Sequence, residues 1–325
     1  MIVTRTPLRI SLVGGGTDMP SFYKRGFGAV VSFAIDKYIY VCLNKKFDGK
    51  TRISYSETEC VEKAVNLKHD LVRESLMDFD VHDGVEVMTV ADIPGNGTGL
   101  GSSSTLTVGL LQALQKYTGE KRFSNPHELA AYAYDVEREL CEYSVGRQDH
   151  LPAAYGNLHY FQFEQDKVIA ELINLNNAEL GELSYRFTLL WTGKSRNSTD
   201  ILREQEENMN MGRWRLAEGM RDIAVAMKDD LKKKDFSNIG AYLDANWQLK
   251  RRMATGISNE WIDETYDKAM EAGAEGGKIC GAGGGGFFLF YGKVGVSGAL
   301  EKATGLKHIP FKIETEGSKV IYGVA

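Results

Sequence analysis

The stretch PGNGTGLGSSST, residues 94–105, decides how this chain is read. Glycines at 97, 99 and 101 alternate with other residues and give way to Ser102, Ser103 and Ser104, after which Leu106 to Tyr117 carries the spacing of an apolar helix. Glycine lets a backbone approach a ligand closely. The N–H groups at a helix start, reinforced by the helix dipole, attract an anion. Hydroxyls at that point can cap the helix or reach a metal ion. The segment reads as a phosphate cradle built from Pro94, Gly97, Gly99, Leu100, Gly101, Ser102, Ser103 and Ser104. The plainer alternative is a flexible glycine loop followed by a capping serine.

Better-known nucleotide loops do not account for it. A Walker A loop needs a lysine after its last glycine to reach the terminal phosphates. Serine stands there, and no lysine occurs between Glu86 and Leu114. A second glycine run, GAGGGG at 281–286, fits the G-x-G-x-x-G spacing, but Phe287 to Tyr291 follow it as a strand-like apolar run. The dinucleotide fingerprint has to open a helix. Neither an H-R-D-type catalytic loop nor a D-F-G segment occurs, which removes the protein-kinase reading.

Composition narrows the class. A chain of 325 residues is at the upper size of a single core, so two domains are expected. A formal net charge of −5 argues against a nucleic-acid partner, which needs clustered basic surface. Cys42, Cys60, Cys141 and Cys280 lack C-x-x-C spacing, so neither a zinc site nor a disulfide framework is expected, and a reducing, cytoplasmic setting fits. The first apolar run, Ile2 to Val13, is broken by Arg5, Pro7 and Arg9, and no stretch approaches the length of a membrane span.

Patterning along the chain predicts strands over Leu8 to Val13, Ala29 to Leu43 and Val85 to Val90, then helices over Ser103 to Tyr117 and Pro126 to Leu140, the latter capped by Asn125. Strands are expected again at Leu158 to Phe163, Val168 to Ile173 and Phe187 to Trp191. Residues 213–272 read as helical with breaks near Asp235 and Gly256, and strands return at Gly286 to Tyr291, His308 to Ile313 and Val320 to Val324. Strands and helices without regular βαβ alternation point to an α+β architecture. The boundary is placed near Gly181, giving domains 1–180 and 181–325.

Three motifs stand in order: PLRISLVGGGTD at 7–18, GLGSSS at 99–104 and KICGAGGGG at 278–286. Together they resemble the GHMP kinases, the galactokinase, homoserine kinase, mevalonate kinase and phosphomevalonate kinase family, over the whole chain. GGGTDMPSFY at 14–23 and GRQD at 146–149 are similar in particular to the bacterial heptose 7-phosphate kinases of that family. The resemblance implies a two-domain fold, an ATP-binding N-terminal domain with a C-terminal antiparallel sheet and helices, and ATP with Mg²⁺ as cofactors.

It also implies site residues. Asp149 in GRQD corresponds to the general base, and Arg9 to the basic residue beside the reacting centre, where its always-charged fork can stabilise transferred phosphoryl charge. Without that context an aspartate after a helix is a turn or cap residue, and Arg9 an exposed strand charge. Glu137 and Ser103 correspond to the Mg²⁺ pair, with Glu139 and Glu142 as competitors more in keeping with exposed helix charges; three serines in a row leave the register open by one. Gly281, Gly283 and Gly284 would support the phosphate loop.

In galactokinase-like members the residues after the first strand read G-E-H-T-D. Here they read Gly14-Gly15-Gly16-Thr17-Asp18, so Asp18 matches the sugar-hydroxyl aspartate while glycine replaces the glutamate and histidine. Gly15, Gly16, Thr17 and Asp18 are thus the acceptor loop, with more room and less negative charge. That suits a longer, phosphorylated sugar, and equally a bulkier neutral one. Arg25, Arg147, Lys194 and Arg196 are candidates for a second anion site, the last two in a polar turn before a helix, although each alone reads as a solvated charge. Lys232, Lys233 and Lys234 are expected to face solvent.

These readings converge on an ATP- and Mg²⁺-dependent kinase for the C1 hydroxyl of D-glycero-D-manno-heptose 7-phosphate, yielding the 1,7-bisphosphate for nucleotide-activated heptose and surface polysaccharide. The alternatives are a 1-kinase for L-fucose or galactose, or a non-catalytic sugar sensor of the same fold, against which retention of Asp149, Glu137, Ser103 and Arg9 argues. The expected partners are a sugar phosphate and ATP, with a homodimer as the candidate assembly and no nucleic acid or membrane.

Overall fold

The computed structural model describes residues 1–94, 97–194 and 199–323, so Arg196 and the rest of the turn 195–198 lie outside the described residues. Two sheets organise the chain. The first contains β1 (Ile2–Val13), β2 (Gly28–Lys45), β3 (Thr51–Ser54), β4 (Thr58–Val61), β5 (Val85–Ala91), β6 (Leu158–Phe163) and β7 (Val168–Leu172). The second contains β8 (Phe187–Trp191), β9 (Ala274–Ile279), β10 (Phe287–Gly292) and β11 (Lys307–His308), in the order β11-β8-β10-β9 and antiparallel throughout. A last strand, β12 (Lys319–Gly323), returns to the first sheet and pairs with β1, which makes its order β12-β1-β2-β5-β3-β4. The architecture is α+β.

The 18-residue β2 organises the first sheet because its two halves bond different neighbours. Gly28 to Phe33 pair with β6 and Ile39 to Lys45 with β5, while β1 runs along the opposite edge of both. Leu8, Ile10 and Leu12 of β1 and Val31, Phe33 and Ile35 of β2 are completely buried, which sets the register, since a one-residue slip would turn these side chains to the other face.

Eleven helices cover the sheets among the described residues. Near the site are α1 (Pro20–Tyr23), α2 (Asp70–Asp78), α3 (Ser102–Thr118), α4 (Pro126–Asp135), α5 (His150–Tyr155) and α6 (Asn177–Arg186). The second half adds α7 (Thr199–Asn208), α8 (Trp214–Lys232), α9 (Ile239–Lys250), α10 (Glu260–Glu271) and α11 (Ser297–Thr304). Helix α3 lies against β1, and the Thr4 hydroxyl donates to the Gly109 carbonyl at 2.9 Å. Lys232, Lys233 and Lys234 are exposed.

Three expectations change. The division near Gly181 falls inside α6, whose Asn176 capping box starts it four residues before position 180, and the tail crosses back to the first sheet as β12, so 181–325 is not one spatial unit. The helix over Pro126 to Leu140 stops as α-helix at Asp135 and widens into a π-turn over Val136–Leu140, the kind of irregularity that accompanies functional sites. The strand over His308 to Ile313 shrinks to Lys307–His308, because Pro310 has no N–H to give a ladder; Ile313 instead bridges to Ile35 of the first sheet.

Candidate active site

The two glycine runs are pressed together, backbone to backbone. A Cβ on Gly99 would stand 2.4 Å from the Cys280 carbonyl oxygen, and one on Gly281 would stand 2.6 Å from the Gly99 Cα. Both residues have left-handed φ, +79° and +67°, so glycine is required twice over, by space and by conformation. Gly281 thus supports the first loop directly. Gly283 and Gly284 instead meet Ile257, with the Gly284 N–H bonded to the Ile257 carbonyl at 2.7 Å.

Gly101 caps α3 in the left-handed region, and no side chain caps the helix. The N–H groups of Ser102, Ser103 and Ser104 are first-turn donors with no carbonyl four residues back inside the helix, the local arrangement that receives an anion. Leu100 is buried beneath the loop and its carbonyl accepts from the Arg9 N–H at 3.1 Å, while Pro94 is exposed at the far end.

Arg9, on the inner part of β1, is buried and fully engaged. Its Nε donates to Asp149 Oδ1 at 3.0 Å, its Nη2 lies 2.6 Å from Asp149 Oδ2, and its Nη1 donates to the Gly99 carbonyl at 2.7 Å. One planar guanidinium therefore joins Asp149 to the first glycine loop, which Lys could not do with the same geometry. Asp149 immediately precedes α5, with about a third of its side chain accessible, so it can meet a ligand.

Glu137 sits in the π-turn and is completely buried. Its carboxylate accepts from Thr107 at 2.8 Å, Ser104 at 3.2 Å and Ser103 at 3.5 Å, and His150 Nε2 is 3.3 Å away. Among the described residues no Lys or Arg pairs with it. Burying a carboxylate costs several kcal/mol unless charge and hydrogen bonds compensate. A cation would offset that cost here. Of the three serines only Ser103 is both exposed and beside Glu137; the Ser102 hydroxyl turns to Thr98 at 3.3 Å. A carboxylate plus one accessible hydroxyl suits Mg²⁺, which keeps waters and takes further oxygens from phosphates. Glu139 and Glu142 are exposed.

The acceptor loop lies on the other side of Asp149. Asp18 is buried, and its Oδ1 accepts from the Gly16 N–H and from Gln148 Nε2, each at 2.8 Å, while Oδ2 accepts from the Gln148 N–H at 3.2 Å. Burial, and then the nearby Asp149 charge, push its carboxyl above the ordinary range. Thr17 is wholly buried with its hydroxyl spent on Gly14 and Ala29, so it builds the loop. A Cβ on Gly15 would touch the Gln148 amide and Ser11 Oγ at 3.5 Å, and one on Gly16 would lie 3.2 Å from Lys250 Nζ.

The basic candidates have different neighbours. Arg147 lies over the rings of Tyr23 and Tyr134, at 5.0 and 5.3 Å. Arg25 borders a separate cavity of about 360 Å³ with Phe22, Phe27 and Trp214. Lys194 is stacked over Trp261 at 5.0 Å, and its carbonyl accepts from Gly286, which places it by the second glycine run rather than by the acceptor loop.

Three residues at the site were given no role in the motif reading. Lys278 of β9 is buried and donates to the Ser11 and Leu12 carbonyls at 2.9 and 3.2 Å, tying the second sheet to β1 behind Arg9. Burial lowers its amine to about 8, helped by the Arg9 charge and opposed by Cys280 and Asp149. Asn246 and Lys250 of α9 reach the acceptor loop: Asn246 Oδ1 accepts from the Gly14 N–H at 2.9 Å, and Lys250 Nζ donates to the Gly15 carbonyl at 3.1 Å. The available signal was their position on the apolar stripe Ile239, Leu243, Asn246, Trp247, Lys250, where polar residues stay only if bonded.

Comparison with known proteins agrees with this arrangement. The "GHMP kinases N terminal domain" profile matches residues 59–157 and the "GHMP kinases C terminal" profile residues 227–299. The chain is 32% identical over 306 residues, 89% of each chain, to a D-glycero-alpha-D-manno-heptose 7-phosphate kinase of Campylobacter jejuni. It is 26% identical to a galactokinase of Pyrococcus furiosus, over 88% of this chain and 87% of that one. A D-glycero-D-manno-heptose 1-phosphate kinase of Bacteroides thetaiotaomicron shares the fold with a TM-score of 0.78 at 22% identity, all of each chain being covered. Two motif-bearing halves, a shared fold and a relative alike over nearly its whole length place the chain in the GHMP kinase family, as a phosphotransferase.

Proposed function

We propose that the protein transfers the γ-phosphoryl group of ATP to the C1 hydroxyl of D-glycero-D-manno-heptose 7-phosphate, giving the 1,7-bisphosphate for nucleotide-activated heptose and surface polysaccharide. The observation that carries this reading is the Arg9 fork, which joins Asp149 on the acceptor side to the Gly99 carbonyl of the phosphate loop. The relative named for heptose 7-phosphate supports the acceptor.

ATP bound with Mg²⁺ supplies the phosphoryl group and the charge that neutralises it. The first-turn N–H groups of α3 bind the phosphates, and Glu137 with the Ser103 hydroxyl would hold the metal. Asp149 takes the proton from the acceptor hydroxyl, while Arg9 keeps that carboxylate in place and presents positive charge to the transferred group. Asp18 organises the acceptor loop through Gly16 and Gln148. The setting is cytoplasmic, where ATP is available; among the described residues no helix is long and apolar enough to cross a membrane.

A specific observation favours a second reading, a 1-kinase for a neutral sugar such as L-fucose or galactose: Arg147 is engaged over Tyr23 and Tyr134, and Lys194 lies over Trp261 beside the second glycine run. An ADP-release assay over heptose 7-phosphate, free heptose, galactose and L-fucose, with the product's phosphate located by NMR, separates the two. The heptose reading expects the 7-phosphate to win by at least roughly tenfold in kcat/KM, the worth of one charge-assisted phosphate contact of about 1.5–3 kcal/mol. Equal use of a neutral sugar removes it in favour of the second reading.

A further inference from the structure

Glu137 is approached by hydroxyls from one patch of α3. Positions 103, 104 and 107 share a face of that helix, because residues three and four apart are neighbours there. They differ in depth: Thr107 is completely buried, Ser104 is 3% exposed and Ser103 is open to solvent. They also divide the carboxylate between them. Thr107 Oγ1 donates to Glu137 Oε1 at 2.8 Å and Ser104 Oγ donates to Oε2 at 3.2 Å, so each oxygen has one buried hydroxyl behind it. The Ser103 hydroxyl stands farther off, 3.5 Å from Oε1.

The Thr107 hydroxyl has a single proton and two acceptors in reach, the Ser103 carbonyl at 3.2 Å and Glu137 at 2.8 Å. Hydrogen bonds to an ionised acceptor are the shorter and stronger kind, so the carboxylate takes the proton. The side chain stands in the setting in which a helical threonine faces the carbonyl four residues back, so it reaches Glu137 without leaving a preferred rotamer. His150 Nε2, 3.3 Å from Oε2, completes the surroundings, and neither of its ring nitrogens is hydrogen-bonded among the described residues. Glutamate is a long side chain with several torsions to fix. The two buried hydroxyls fix its end.

We propose that Thr107 and Ser104 are positioning residues for the metal site: they hold the Glu137 carboxylate from behind so that it is presented beside the exposed Ser103 hydroxyl, and neither touches the metal. This rests on the reading of Glu137 and Ser103 as the metal pair. Partners that orient a ligating carboxylate govern affinity nearly as the ligands do, and their loss typically weakens metal binding about 10- to 100-fold.

The test uses the full chain with Thr107→Val, which keeps the branched shape and removes the hydroxyl, Thr107→Ser, which keeps the hydroxyl, and Ser104→Ala, a change that a helix accepts readily. Mn²⁺ binding in the presence of ADP is followed by electron paramagnetic resonance, and ADP affinity is measured separately in EDTA. Thr107→Val should weaken Mn²⁺ about tenfold or more and Ser104→Ala at least about fivefold, with Thr107→Ser within about threefold of the parent and metal-free ADP affinity unchanged throughout. If Thr107→Val does not fold, Ser104→Ala decides alone. Loss of ADP binding in EDTA along with Mn²⁺ would mean that the hydroxyls support the helix start and not the carboxylate, which overturns the proposal. Parental Mn²⁺ affinity in Thr107→Val and Ser104→Ala overturns it as well. In that case Glu137→Gln separates the two levels: weakened Mn²⁺ leaves the metal pair standing, and parental Mn²⁺ removes it too. The expected Mn²⁺ shifts in a protein that phosphorylates none of the four sugars support the positioning role and remove the acceptor reading instead.

Discussion

Arg9 and Asp149, 140 positions apart in sequence, meet through two near-parallel contacts of 3.0 and 2.6 Å, and the remaining Arg9 nitrogen holds the Gly99 carbonyl at 2.7 Å. The carboxylate's orientation and the shape of the Gly99 loop are thereby one mechanical unit. Replacing Asp149 with Asn keeps the shape and removes the proton acceptor, so kcat should fall by roughly 10²- to 10⁴-fold with ATP affinity little changed. A purified variant turning over within a few-fold of the parent would remove Asp149 from the base role.

Glu137 and Ser103 should act together on the metal. Glu137→Gln and Ser103→Ala are each expected to raise the Mg²⁺ concentration for half-maximal rate, whereas Glu139→Gln, an exposed neighbour, should not. Thermal melts of the variants confirm that the fold survives. Parent-like Mg²⁺ demand in both would move the metal elsewhere.

The contact between the glycine runs makes a prediction at a position outside the first loop. In Gly281→Ala the new methyl would stand 2.6 Å from the Gly99 Cα, at a left-handed φ. Overpacking of this kind costs about 1–3 kcal/mol. Both a lower denaturant midpoint and a higher ATP KM are expected, while acceptor KM stays near the parent value. An Ala variant with parental stability and parental ATP KM would show that the two runs do not support each other.

Lys278 gives a pH dependence whose sign is fixed. Its folded value, about 8, lies below the ordinary 10.5, so between these values the unfolded chain binds more protons and stability rises with pH. The contribution is fully present above 10.5 and is lost as pH falls through 8. Lys278→Met lacks this titration. Relative to that variant, the parent should gain stability between pH 8 and 10, measured by denaturant midpoint, at on the order of 1.4 kcal/mol per unit as a ceiling. A difference that is flat over this window would contradict the burial of a titrating amine.

Much was legible from local pattern alone. The strand Leu158 to Phe163 and the strand Phe187 to Trp191 stand where apolar runs put them, and the helix after the serines begins at Ser102, because glycine followed by an apolar helical spacing admits few other conformations. The membership of Ser103 and Glu137 in one place followed from motif resemblance, and 3.5 Å now separates the hydroxyl from the carboxylate. Thr17 was named for the acceptor and is instead consumed by the loop, a distinction of hydroxyl orientation that spacing does not carry.

By itself, then, the sequence determined the α+β class, the glycine loop that opens α3 and the family, since these rest on short-range constraints: glycine's conformational freedom, the periodicity of apolar residues and the order of three motifs. Tertiary structure alone decided that β12 returns to β1, and that Lys278, Asn246 and Lys250 reach the β1 end. Each of these joins residues more than 180 positions apart, and such a meeting is settled by which faces the two sheets bury against each other and by where each buried polar group finds its partner.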